Sequence, residues 1–135
     1  MKKELFFFLL LPLFGMAQNT LSVVVNKVGC DSGEVHIALY TEAEGFLKFE
    51  KVYRNGSASA NKGTTEVTIE DLPKGMYAVA VFHDKNGNGE LDTNWLGIPK
   101  EDVGFSKAKM KMFGPPSFKE CCFELNSDTR IQVYL

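Results

Sequence analysis

Apolar residues recur at every second position through most of this chain. Leu21, Val23 and Val25 alternate with Ser22, Val24 and Asn26, and after a turn-rich patch at residues 29–33, Val35, Ile37 and Leu39 alternate with His36, Ala38 and Tyr40. A period of two marks strands with one buried face, and the short spacer predicts that these two pair as a hairpin. Val67 and Ile69 continue the pattern up to Asp71-Leu72-Pro73-Lys74-Gly75, where Pro and Gly impose a turn. Residues 76–82 are apolar on both faces and read as a central strand covered on two sides. Residues 118–125 and 130–135 read as a closing hairpin turned by Asn126, Ser127 and Asp128, with Ile131, Val133 and Leu135 facing inward.

Two segments are less regular. Residues 42–51, rich in Glu, Ala, Leu and Lys, predict two or three turns of helix serving as a crossover. Residues 52–60 predict a further strand, weakened by Asn55-Gly56-Ser57, which also fits the N-glycosylation acceptor pattern. Between Asp84 and Pro116 no period is sustained, so the chain forms one long loop, a feature of functional segments in compact domains. About seven short strands with regular turn signals predict an all-β, single-domain antiparallel sandwich over residues 18–135.

Residues 1–17 stand apart: Lys2 and Lys3 precede an apolar run from Leu5 to Phe14, then Gly15-Met16-Ala17. This order is that of a secretory signal peptide cut after Ala17, and the run is about half the length that crosses a bilayer. The expected mature chain is exported, periplasmic or extracellular, with no transmembrane anchor. Without Lys2, Lys3 and Glu4 it holds 13 basic and 16 acidic side chains, a net charge of minus three. No basic block exists to neutralise a row of phosphates, which removes nucleic acid as a partner. Export permits disulfides, so Cys30 is expected either to bridge Cys121 or Cys122, or to remain with them as small buried hydrophobes. No C-x-x-C spacing points to zinc.

The long loop opens with chemistry. Counting Asp84 as position one, oxygen-bearing side chains fall at one, three, five and nine, namely Asp84, Asn86, Asn88 and Asp92, with Gly89 at six and Glu90 at seven. This is the D-x-[DN]-x-[DN]-G arrangement of a calcium loop, in which alternate side chains converge and Glu90 offers its backbone carbonyl. Position twelve, where a helix-flanked loop carries a bidentate Glu, is Trp95, so a remaining ligand has to come from Glu101, Asp102 or water. The plainer alternative is that Asn86-Gly87 and Asn88-Gly89 are turn dipeptides.

Beyond the loop, Trp95, Phe105 and Phe113 stand in polar surroundings. They form either a platform for carbohydrate or a protein partner, or a lid that seals the end of the sandwich. His83 beside Asp84 suggests the general base of a small hydrolase, although adjacent strand residues point to opposite faces. No nucleophile elbow, zinc-protease motif or phosphate loop is present. The primary expectation is a non-catalytic binding or accessory module with a weak calcium site. A carbohydrate-binding module using Trp95 and a hydrolase using His83 are the alternatives.

The string from Asp71 through Asp84, continuing into Asn86-Gly87-Asn88-Gly89 and Asn94-Trp95-Leu96-Gly97-Ile98-Pro99, resembles domain of unknown function 2141, a family of small exported bacterial proteins. Gly104-Phe105-Ser106 and Phe113-Gly114-Pro115-Pro116-Ser117-Phe118 extend the resemblance across the mature chain. Leu72-Pro73-x-Gly75-x-Tyr77 is more loosely similar to the turn and strand of transthyretin-like and collagen-adhesin B-type sandwiches, which implies an immunoglobulin-like or transthyretin-like topology. Cys121-Cys122 falls where the family resemblance implies small apolar residues.

Overall fold

The structure, a computed structural model, describes residues 18–135. The expected signal peptide, residues 1–17, lies outside the described residues. Strands are β1 (Asn19–Val28), β2 (Glu34–Tyr40), β3 (Arg54–Ser59), β4 (Gly63–Leu72), β5 (Gly75–Asp84), β6 (Val103–Phe105), β7 (Phe123–Leu125) and β8 (Thr129–Tyr134), with one short helix, α1 (Phe118–Cys121). One sheet has the order β4-β1-β8 and the other β3-β2-β5-β6, with β7 pairing the first residues of β5. Their inner faces meet in a core that includes Leu21, Val23 and Val25 of β1, Val35, Ile37 and Leu39 of β2, Val67 of β4, and Val79 and Val81 of β5, all essentially buried.

The sandwich is therefore as expected, with eight strands rather than seven. Its pairing differs in two places. β1 and β2 do not form a hairpin but lie in opposite sheets, where their apolar faces meet across the core. β7 and β8 do not pair either: β8 runs parallel to β1, Leu21 opposite Thr129 through Asn26 opposite Tyr134, so the sandwich is mixed rather than purely antiparallel.

Two local expectations also change. Residues 118–121 are helical, because Ser117 and Glu120 make a reciprocal capping box that satisfies the first free amides. Residues 42–51 form turns and a single 3-10 turn (Phe49–Lys51) instead of a helix, since Gly45 and Leu47 both take positive φ, 76° and 69°, which a right-handed helix cannot contain. Among the described residues no helix is long and apolar enough to cross a membrane.

β5 organises the second, smaller cluster. Its inner face carries Tyr77, Val79, Val81 and His83, while Ala78 and Ala80 on the outer face are covered by Phe105, Cys121, Phe118 and Phe46. The expected long loop is thus interrupted by β6, which returns to the edge of β5 with Phe82 opposite Val103 and Ala80 opposite Phe105. Gly104 has to be small there, for a Cβ would sit 2.7 Å from Val133 Cγ1 and 2.8 Å from the Tyr134 carbonyl oxygen. All three cysteines are unbridged. Cys121 packs on Ala78, whereas Cys30 follows Gly29, whose Cβ position faces Asp102 beside His83. Ala78 and His83 lie five steps apart along β5, about 16 Å in an extended strand.

Candidate metal centre and the tips beside it

Asp84 ends β5 on its outer face, and the chain then turns sharply. The side chain is 0% exposed; Oδ2 accepts the Gly89 amide at 2.7 Å, while Oδ1 is buried and has no hydrogen-bond partner. Gly87 and Gly89 take φ of 68° and 77°, the left-handed values that let the loop fold back on Asp84 at little steric cost. Asn86 Oδ1 accepts the Asn88 amide at 3.2 Å and Asn88 Oδ1 accepts the Glu90 amide at 2.9 Å, two successive Asx turns. The same two side chains donate to Asp92, Asn86 Nδ2 to Oδ2 at 2.6 Å and Asn88 Nδ2 to Oδ1 at 2.8 Å. Asp84, Asn86, Asn88 and Asp92 are thus knitted into one compact loop. The Glu90 side chain points to solvent, which leaves its backbone carbonyl as the group it can offer.

Glu101 joins this set across a second turn. Asp92 and Lys100 are tied by a backbone hydrogen bond of 2.8 Å, Thr93 bridges Pro99, and the Asp92 amide donates to Glu101 Oε2 at 3.4 Å. Hydrogen bonds from Asn88 and Asn86 hold the Asp92 carboxyl below the ordinary carboxylate range. Burial pushes Glu101 up, and the nearby negative charges of Asp92 and Asp84 push it in the same direction. A shallow depression of about 460 Å³, lined by Asn86, Asp92, Thr93, Glu101, Lys85 and Lys100, opens on this cluster. Among the described residues no three His, Cys, Asp or Glu side chains come close enough to hold a metal by themselves, so a cation here also needs the amide and carbonyl oxygens of the loop. Asp102 turns away to pair with Lys85 at 3.6 Å.

Register brings up a neighbour that spacing alone does not show. Glu34 pairs opposite Asp84, and His36 of β2 places Nε2 at 3.3 Å from Asp84 Oδ2 and 3.4 Å from Glu34 Oε2 while stacking on Phe82. His83 faces the other way. It is 0% exposed, on the core side of β5, with Nε2 at 2.7 Å from the Ser32 carbonyl and Nδ1 unpartnered. His83 and Asp84 therefore do not converge in a cleft, as the alternation of a strand dictates.

The three aromatic candidates part company. Phe105 is only 7% exposed and packs in the second cluster. Trp95 is 91% exposed at the tip of the turn bridged by Thr93 and Pro99, where Asn94 Oδ1 accepts both the Leu96 and Ile98 amides and Gly97 takes φ 77°. Phe113 is 98% exposed, with Met112, at a second tight turn closed by Lys111 and Gly114. The two turns flank a groove of about 610 Å³ floored by Ala80, Phe82, Val103 and Phe105.

A family model described as an uncharacterized protein conserved in bacteria (DUF2141) matches residues 23–132. No curated protein and no solved structure matches the chain.

Proposed function

This chain belongs to that uncharacterized bacterial family, and we propose that it is a non-catalytic binding or accessory module whose loop at residues 84–92 takes up calcium. Asp84, Asn86, Asn88 and Asp92 would supply side-chain oxygens, Glu90 its carbonyl, and Glu101 the ligand that replaces the missing position twelve. The observation that carries the reading is the buried Asp84 Oδ1, a carboxylate oxygen in a side chain shut off from water and left without a donor. Such a group is costly unless something satisfies it, and a hard cation satisfies a carboxylate surrounded by amide oxygens. Export, expected from residues 1–17, fits an affinity on the order of 0.1–1 mM, typical of extracellular modules.

Thermal melts with calcium against chelator test this. At 10 mM calcium that affinity corresponds to a stabilisation of about 1.4–2.7 kcal/mol, or about 6–11 °C for a domain of this size. Asp84→Ala should abolish the rise. Asp92→Asn, at a position outside the hydrophobic core, should reduce it, and calorimetric titration gives the affinity directly. A wild-type curve that calcium leaves unchanged would end the reading.

A further inference from the structure

We propose that the two tight turns beside the loop dock on an anionic lipid surface, and that calcium at the Asp84 loop turns this docking on; the inference rests on the calcium reading above. Trp95 and Phe113 are almost wholly exposed, and Leu96, Ile98 and Met112 beside them are exposed too. The two aromatic rings together place roughly 300–500 Å² of apolar surface in water, on turns that border the same groove. Both turns are closed by their own backbone pairing, so these side chains are held outward rather than left to collapse.

Charge decides which apolar partner fits. Lys107, Lys109 and Lys111 alternate with Ala108, Met110 and Met112 on the approach to Phe113. Such cationic residues interleaved with apolar ones suit an interface where tips enter the acyl boundary and ammonium groups meet lipid phosphates. Residues 84–113 hold five basic side chains, Lys85, Lys100, Lys107, Lys109 and Lys111, against five acidic ones, Asp84, Glu90, Asp92, Glu101 and Asp102. Glu120, which pairs with Lys111, and Glu34, which faces Asp84 across the sheet, bring the local balance to minus two. A bound divalent cation cancels it, on a chain otherwise acidic. Repulsion from an anionic bilayer is thereby lifted at the very tips that would insert, and the lysines on the approach to Phe113 are left to meet the lipid phosphates.

Trp95 is the sole tryptophan and reports its own insertion. Its emission and co-sedimentation should be followed with vesicles of phosphatidylcholine alone and of an equal mixture with phosphatidylglycerol, each with millimolar calcium or with chelator. A blue shift and pelleting confined to the mixed vesicles with calcium is the expected result. Trp95→Ala combined with Phe113→Ala should keep the calcium-induced rise in melting temperature while pelleting falls at least about tenfold. Asp92→Asn should weaken both. A calcium-induced rise without vesicle binding would overturn the docking and leave the metal site standing. Binding that ignores calcium would overturn the switch, and quenching of Trp95 by soluble polysaccharide without any vesicle response would assign the tips to sugar instead.

Discussion

Gly33 links the fold to the loop, and replacing it gives a sharp test of the geometry. It sits in the turn that carries the chain from β1 in one sheet to β2 in the other, with φ of 75°. A methyl group built on it would fall on the Asp84 carbonyl oxygen, well inside van der Waals contact, and 2.9 Å from both the Asp84 carbonyl carbon and the Lys85 carbonyl oxygen. Gly33→Ala thus carries two separate costs: about 1–2 kcal/mol for a side chain in the left-handed region, and about 1–3 kcal/mol for forcing backbone apart in a packed site. Gly63→Ala supplies the control. Its φ is 93°, but nothing lies within 4 Å of the added carbon, so only the conformational cost applies. Urea melts with chelator present should show Gly33→Ala less stable than Gly63→Ala by about 1–3 kcal/mol. Because the displaced atoms belong to Asp84 and Lys85, the response to calcium should shrink in the first variant and persist in the second. Equal losses in the two variants would mean that Gly33 does not abut Asp84, and the site as described would be wrong.

Three further expectations test other parts of the structure. Tyr77 donates to the Pro73 carbonyl at 2.6 Å, so Tyr77→Phe should cost about 0.5–1.5 kcal/mol in chemical denaturation; no change would mean the hydroxyl reaches water instead. Ser106 accepts the Val79 amide at 2.9 Å and donates to the Cys121 carbonyl at 2.6 Å in a buried position, and Ser106→Ala should cost about 1–3 kcal/mol by stranding both groups, read in the same assay. Burial pushes the Cys121 thiol up to about 11, and it also raises Cys122, where Lys107 opposes it. A thiol-specific reagent at pH 8 should modify the partly exposed Cys30 and Cys122 in the folded protein but Cys121 only after denaturation; three thiols reacting together in the native state would contradict that burial.

The strands were legible where alternation was long enough to repeat. Leu21, Val23 and Val25, or Val35, Ile37 and Leu39, each show three beats of a period that only a half-buried strand explains. Which strands pair is a different matter: β8 lies beside β1 although more than a hundred residues separate them, and no local pattern records that. β6 is too short to show a period, and its Gly104 looks like loop until Val133 and Tyr134 close over it. The Ser117-x-x-Glu120 signal of the helix was present in the sequence but sat beside Phe118, Cys121, Cys122 and Phe123, whose apolar run reads as strand. At the site, the loop from Asp84 to Asp92 was readable by spacing. His36 and Glu34 approach Asp84 only through cross-strand register, which the hairpin expectation for β1 and β2 could not supply.

Loop and tips act together because of where the chain leaves and rejoins the sheet. Residues 85–102 depart from β5 after Asp84 and return at Val103 beside Phe82, so both ends are fixed to one strand. Between those anchors the polar cluster supplies the ties: Asp84 to Gly89, Asn86 and Asn88 to Asp92, and Asp92 to Glu101 and Lys100. The turn bearing Trp95 is built directly on Asp92 and Lys100, so whatever fixes Asp92 also fixes the base of that turn. The main core lies on the other face of β5. A cation that tightened the cluster would therefore act on the turn that carries the tip, through ties that lie outside the main core. Conversely, a core substitution on that face should lower stability while leaving the size of the calcium-induced rise unchanged.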